Sequence, residues 1–162
     1  MKRQIRALCA GAVIAALYVV LTLLSNLFGL AGGSSPIQFR LSEMLCILPC
    51  FTAAAIPGLA IGCLLANLLT GAALFDVLFG AAATLLGALG TYFLRRHRVL
   101  ATLPPIVSNT LIVPFLLKYV YGFDGAVPFF MLTVGIGEIL TCGLGALLLY
   151  PALARREGEW KQ

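Results

Sequence analysis

Acidic side chains are scarce in this chain. Six Asp and Glu stand among 162 residues, against eleven Lys and Arg, and charged residues of both signs reach only 10%. A soluble domain carries about 25% charged residues, so a water-solvated fold is excluded. The five cysteines form no C-x-x-C pair and the single histidine, His97, lies in a basic stretch, so the usual spacings of a zinc or redox site are missing. There is no G-x-x-x-x-G-K-[ST], so this chain has no P-loop of its own for ATP. Gly135-x-Gly137 lacks both a third glycine and a preceding strand, which excludes a dinucleotide turn. Neither H-E-x-x-H nor G-x-S-x-G occurs. No enzyme chemistry and no cofactor are expected.

Hydrocarbon is what the chain does have, at 61% of residues. A membrane-spanning helix takes about 20 apolar residues, with a range of about 17–25. Six segments approach that length, at about 7–29, 41–56, 58–75, 77–94, 103–121 and 127–150. The second and third are short, with Pro49 inside the second and Pro57 between the two. The first is too long for the apolar core of a cleavable signal, about 7–15 residues. All six are continuously apolar rather than alternating, which excludes a barrel. The fold expected is an all-α integral membrane protein, one membrane domain over residues 1–162 with six transmembrane helices.

Positive charge gives the orientation. Lys2, Arg3 and Arg6 precede the first segment, Arg95, Arg96 and Arg98 follow the fourth, and Arg155, Arg156 and Lys161 follow the sixth. Six crossings put all three clusters on one side, as the positive-inside rule requires; five or seven do not. Both termini are therefore expected in the cytoplasm of a bacterial cell, with the chain in its plasma membrane. Small basic loops between spans also account for the net charge of +5 without a nucleic-acid partner.

The opposite side is chemically different. Ile37-Gln38-Phe39-Arg40-Leu41-Ser42-Glu43 follows a Gly/Ser-rich turn and brings four polar side chains together where the second span begins. Asn67 stands near the end of the third span, Asp76 at the start of the fourth and Lys118 at the end of the fifth. Glu138 lies deep in the sixth, behind Gly135 and Gly137, with Thr133 and Thr141 nearby. A charged residue at a helix centre costs about 2.5–3.5 kcal/mol on insertion scales, and glycines just before it allow a ligand or backbone to come close. Gln38, Arg40, Glu43, Asn67, Asp76, Gly135, Gly137 and Glu138 are the expected solute-binding residues. Each has a plainer reading beside it. Glu138 would be neutral, or paired with Arg40 or Lys118. Arg40 and Glu43, three apart, would pair with each other. Asp76 would cap its helix, and Lys118 would snorkel to the interface. Phe39, Phe75, Phe115 and Tyr119 would stack on a planar ligand or form an aromatic belt. Asn109 falls nearer the inner half and is left out of the set.

Small residues mark helix contacts. Ala12-x-x-x-Ala16 and Gly11-x-x-x-Ala15 smooth the first span, and Gly80, Ala83, Gly87 and Gly90 smooth the fourth. Cys9, Cys46, Cys50, Cys63 and Cys142 all lie within apolar segments and are expected as buried, inert thiols, with Cys46 and Cys50 one helical turn apart.

Several blocks, taken in order, carry a family resemblance. They are Ile37 to Glu43 with Leu48-Pro49, Pro57-Gly58-Leu59-x-Ile61-Gly62-Cys63-x-x-Ala66-Asn67-Leu68-Leu69, and Asp76-Val77-x-Phe79-Gly80 with Ala83-Thr84-Leu85. Leu103-Pro104-Pro105-x-x-x-Asn109 and Val134-Gly135-x-Gly137-Glu138 complete them. Together they cover nearly the whole chain and resemble the QueT family. The resemblance implies an S component of an energy-coupling factor (ECF) transporter, a six-helix protein that binds a vitamin-like solute from outside. The solute implied is a queuosine precursor, a 7-deazaguanine. The partners implied are the ECF transmembrane coupling subunit, docked on Ala12 and Ala16, and two separate ATPase subunits. A 7-aminomethyl-7-deazaguanine offers two adjacent N–H donors and a cationic amine, which suit carboxylates. Glu138 is expected at the guanine-like edge and Glu43 or Asp76 at the amine. A proton-coupled permease relaying through Glu43 and Glu138, a ligand-free scaffold and a small intramembrane enzyme are the competing readings.

Overall fold

A computed structural model describes residues 2–30 and 39–155. Gln38 lies outside the described residues. Among the described residues six α-helices carry the fold, and each expected span has a helical counterpart. Helix α1 (Lys2–Leu27) ends where Gly29 takes φ 66°, and the Leu30 amide then turns back to the Ser25 carbonyl at 2.8 Å. That left-handed residue is open to glycine without steric cost.

A ten-residue 3-10 helix, Leu41–Cys50, follows. Runs of this tighter helix seldom exceed 3–4 residues, and here it forms the centre of the molecule, against α1, α3 and the last helical stretch. Ser25 Oγ, which donates to the Leu21 carbonyl at 2.8 Å, accepts the Leu41 amide at 2.9 Å and so ties its start to α1.

Around it run α2 (Ala55–Leu69), α3 (Leu74–Phe93), α4 (Leu103–Tyr119) and α5 (Val127–Glu138), each packed on the next, with α1 on α2. Glycine sets these distances. A Cβ on Gly58 would fall 2.7 Å from the Gly11 carbonyl oxygen, and one on Gly62 would fall 2.8 Å from Tyr18 Cβ. A Cβ on Gly87 would meet Pro105 Cα at 2.7 Å. The smooth face expected on the fourth span is therefore spent on α4 and, at Gly80, on Asn67.

After Glu138 the chain widens into a π-helical stretch, Ile139–Gly145, before α6 (Ala146–Ala154). Thr141 Oγ1 donates to the Gly137 carbonyl at 2.9 Å, a back-bond that competes with regular α-helical pairing. Gly145 leaves room for Met44 of the 3-10 helix, whose Cγ would lie 2.7 Å from an added Cβ. An overwound and an underwound helix thus meet in the middle of the fold.

Among the described residues, four stretches are long and apolar enough to cross a membrane: Gln4–Leu27, Leu74–Phe93, Leu100–Tyr119 and Val127–Ala154. The other two are shorter than the sequence suggests. Ten residues at about 2.0 Å rise reach about 20 Å, and the fifteen of α2 at about 1.5 Å reach about 22 Å. Both fall short of a hydrocarbon core about 30 Å thick. The break at residues 51–54 separates them, one residue past Cys50 and with Pro49 still inside the 3-10 helix.

The two ends of the bundle differ as the charge pattern suggests. Arg95 lies over Tyr92 at 4.2 Å and Arg98 faces Tyr150 of α6 at 6.0 Å, so the central basic loop and the last helix share an end. Arg40, Asn67, Asp76 and Tyr121 gather at the other.

Candidate functional site

The buried polar groups form two connected tiers. The outer one starts at Arg40, just before the 3-10 helix, whose Nη2 donates to Asn67 Oδ1 at 2.5 Å. Asn67, 2% exposed, gives its amide hydrogens to the Asp76 carbonyl at 3.2 Å and to Cys63 Sγ at 3.8 Å. The Asp76 carboxylate accepts from the Tyr121 hydroxyl at 2.7 Å, and that hydroxyl accepts the Ala73 amide at 3.3 Å. Burial first, then the hydrogen bond to Asp76, pushes the Tyr121 phenol up to about 12. Asp76 sits in the first turn of α3 but does not cap it; the capping position is Ala73.

The inner tier holds two buried carboxylates, Glu43 at 1% and Glu138 at 8% exposure. Tyr18 on α1 donates to Glu43 Oε1 at 2.5 Å. Cys46 Sγ approaches Glu43 Oε2 at 3.2 Å. The pitch explains that contact, because residues three apart eclipse in a 3-10 helix. The same pitch takes Cys50 off that face; Cys46, Cys63 and Cys142 are buried as expected, but Cys50 is half-buried and Cys9 is exposed. Cys46 faces the π-helical stretch, where Cys142 Sγ lies 3.4 Å from the Glu43 carbonyl and 3.9 Å from its Oε2.

Asn109 joins the two acids. Its Nδ2 donates to Glu138 Oε1 at 3.0 Å and reaches Glu43 Oε2 at 3.5 Å. Glu138 Oε2 and, one residue along α4, Thr110 Oγ1 have no hydrogen-bond partner among the described residues. An unpaired buried acceptor costs free energy, so the arrangement leaves one carboxylate oxygen able to take an incoming donor. Thr133 and Thr141 are not part of this set, since their hydroxyls bond the Phe130 and Gly137 carbonyls of their own helix. A Cβ on Gly135 would meet Thr110 at an ordinary 3.5 Å, so this glycine marks the approach of α4. Gly137 is buried beside Glu138.

The structure therefore brings Glu43 and Glu138 together, and separately Arg40, Asn67 and Asp76. Arg40 bonds an amide, and Glu43 takes donors from Tyr18, Cys46 and Asn109. Sequence reasoning missed Tyr18, Asn109, Cys46, Cys142 and Tyr121. Asn109 carried a signal, being one of few amides inside an apolar segment; the others did not stand out by residue type. Phe75, Phe115 and Tyr119 are exposed, with Phe115 and Tyr119 stacked at 6.3 Å on each other, which suits a lipid-facing belt. Lys118 closes α4. On α1, Gly11 and Ala15 pack on α2, while Ala12 and Ala16 are exposed.

Comparison with known proteins adds a family. The QueT transporter family model matches residues 8–155. A relative from Lactococcus lactis subsp. cremoris (strain MG1363), named queuosine precursor transporter QueT, is 42% identical over 74 residues. That match covers 46% of this chain and 42% of the relative, so the chain spans less than half the length of the curated protein it matches. No solved structure matches.

Proposed function

This chain belongs to the QueT transporter family, and from that premise we propose that it is the solute-binding S component of an ECF transporter importing a 7-deazaguanine queuosine precursor. The observation that carries the reading is the free Oε2 of buried Glu138, held beside Glu43 by the Asn109 amide. A flat heterocycle with adjacent N–H donors, or a cationic amine, supplies what that oxygen lacks. Glu138 is the carboxylate we assign to the solute. Glu43, already bonded by Tyr18, Cys46 and Asn109, fixes the site and adds negative charge. Arg40, Asn67, Asp76 and Tyr121 line the way in from the outer end.

In this reading all six helical segments cross the bilayer or line its centre, with both termini cytoplasmic and the basic loops inside. The short 3-10 helix and α2 are tolerated because they sit against protein more than lipid. The partners are the coupling subunit, on the exposed Ala12 and Ala16 of α1, and two ATPases that supply the energy this chain lacks motifs for.

One observation favours a second reading. Two buried carboxylates joined through an amide also suit a proton-coupled permease. Reconstitution separates the two. Proteoliposomes containing this chain alone, given a pH gradient, should accumulate no labelled 7-aminomethyl-7-deazaguanine, and uptake should appear when the coupling subunit, both ATPases and ATP are present. Uptake by the chain alone would reverse the assignment.

A further inference from the structure

Glu43, Cys46 and Cys142 form a donor set in which the two thiols have no part in the solute reading. All three are buried, and one ligand atom from each lies within 4.8 Å of the others. Glu43 Oε2 is 3.2 Å from Cys46 Sγ and 3.9 Å from Cys142 Sγ, and Cys142 Sγ also lies 3.4 Å from the Glu43 carbonyl, so both thiols face Glu43. Thiols are weak hydrogen-bond donors and free ones usually behave as small hydrophobes. Two of them turned onto a single buried glutamate is a polar arrangement that packing alone does not ask for.

We propose that Glu43, Cys46 and Cys142 hold a thiophilic divalent cation of the zinc type. A tetrahedral centre at about 2.3 Å from each sulfur and about 2.0–2.2 Å from oxygen needs ligand atoms roughly 3.5–4 Å apart, close to the two S–O separations here. Two sulfurs with a carboxylate select zinc, cobalt(II) or cadmium over magnesium or calcium. On binding, both S–H bonds break, two S–metal bonds form and two protons leave. One divalent cation replaces two protons, so the charge of the cluster does not change, which matters where charge is costly.

Three protein donors leave the fourth position of a tetrahedral centre open. Glu138 is held beside Glu43 by Asn109, whose Nδ2 contacts both Glu138 Oε1 and Glu43 Oε2, and keeps its unpartnered Oε2 for the solute. In addition, Tyr18 donates to Glu43 Oε1, the second contact that orients a metal-ligating carboxylate. The placement comes from the juxtaposed 3-10 and π-helical stretches and does not rest on the transport reading.

Cobalt(II) is the probe. The chain is expressed in cobalt-supplemented medium, so metal is present as it folds, and is then purified in detergent. The expected result is one cobalt per chain with a thiolate-to-cobalt charge-transfer band and intense tetrahedral visible bands, bleached when zinc is added. Cys46→Ser and Cys142→Ser should each abolish the charge-transfer band's two-thiolate intensity, while Cys9→Ser and Cys50→Ser leave the spectrum unchanged. Tyr18→Phe, which keeps all three ligands, should weaken binding by about 10–100-fold. Folded, monodisperse protein without stoichiometric metal overturns the assignment. So does a cobalt spectrum indifferent to both Cys46→Ser and Cys142→Ser, or isolation of Cys46 and Cys142 as a disulfide.

Discussion

The Asn109 side-chain amide on α4 donates to Glu138 Oε1 on α5 at 3.0 Å. Because the same nitrogen also reaches Glu43 Oε2 at 3.5 Å, one neutral group holds two buried acids in fixed relation. The fold around it serves that arrangement. Glycines bring α1 onto α2 and α3 onto α4, and the 3-10 helix carries Glu43 to the centre.

Asn109→Ala should therefore affect stability and binding together. It leaves two buried carboxylates without their common donor, and an unsatisfied buried group costs about 1–3 kcal/mol. Thermal unfolding in detergent should show the loss, and solute affinity should fall with it. Asn109→Asp, which adds a third acid, should be the more damaging of the two.

Glu138→Gln separates charge from shape. The amide oxygen can still accept from Asn109, so the melting temperature should change little. A hydrogen bond to a charged group is worth about 1.5–3 kcal/mol, so affinity for 7-aminomethyl-7-deazaguanine should fall roughly ten- to hundredfold. Calorimetry on the purified variant checks this.

The α1–α2 contact predicts an effect at a distance. A side chain on Gly62 would press on Tyr18 Cβ at 2.8 Å and on Ala15 Cα at 3.0 Å. Gly62→Val should destabilise by about 1–3 kcal/mol through overpacking. It should also weaken solute binding, since Tyr18 anchors Glu43. The same change at exposed Gly71 is a poor control because its φ of 71° penalises any side chain. Exposed Ala12→Leu is the better one for solute binding; in the proposed complex it should impair docking of the coupling subunit.

Tyr121 gives an alkaline signature outside the membrane. Its phenol is raised from 10.0 to about 12, so the neutral, hydrogen-bonded form is favoured in the folded chain. The stability it contributes is whole below pH 10 and is lost as pH rises through about 12. Thermal melts across that window should fall more steeply for the native chain than for Tyr121→Phe.

Much of this was legible in the sequence, for reasons that also explain what was not. Glu43 and Glu138 stood out because carboxylates are costly in hydrocarbon, and both proved to be buried together. Each apolar segment became helical because its composition leaves no other way to satisfy the backbone. The second and third segments are shorter than expected, since residues 51–54 break off the 3-10 helix and α2 stops at Leu69, ahead of the turn at Gly71. Tyr18, Cys46 and Cys142 were hidden because their meeting depends on helix pitch. An α-helical reading pairs Cys46 with Cys50, whereas the 3-10 pitch pairs Cys46 with Glu43 and the π-helical stretch supplies Cys142. Asp76, at a helix start, suits a solute site or a cap equally well; its partner, Tyr121, lies 45 residues away and no local pattern indicates it.

The central claim is that this chain alone binds a deazaguanine at Glu138. Calorimetry of the purified chain with 7-aminomethyl-7-deazaguanine, its nitrile analogue, queuine, guanine, riboflavin and thiamine tests it most directly. A bound ligand at 100 times its Kd should also raise stability by about 2.7 kcal/mol. Deazaguanines should bind, the amine more tightly than the nitrile, and Glu138→Gln should weaken the interaction. Folded protein that binds riboflavin or thiamine instead, or none of the panel, would contradict it.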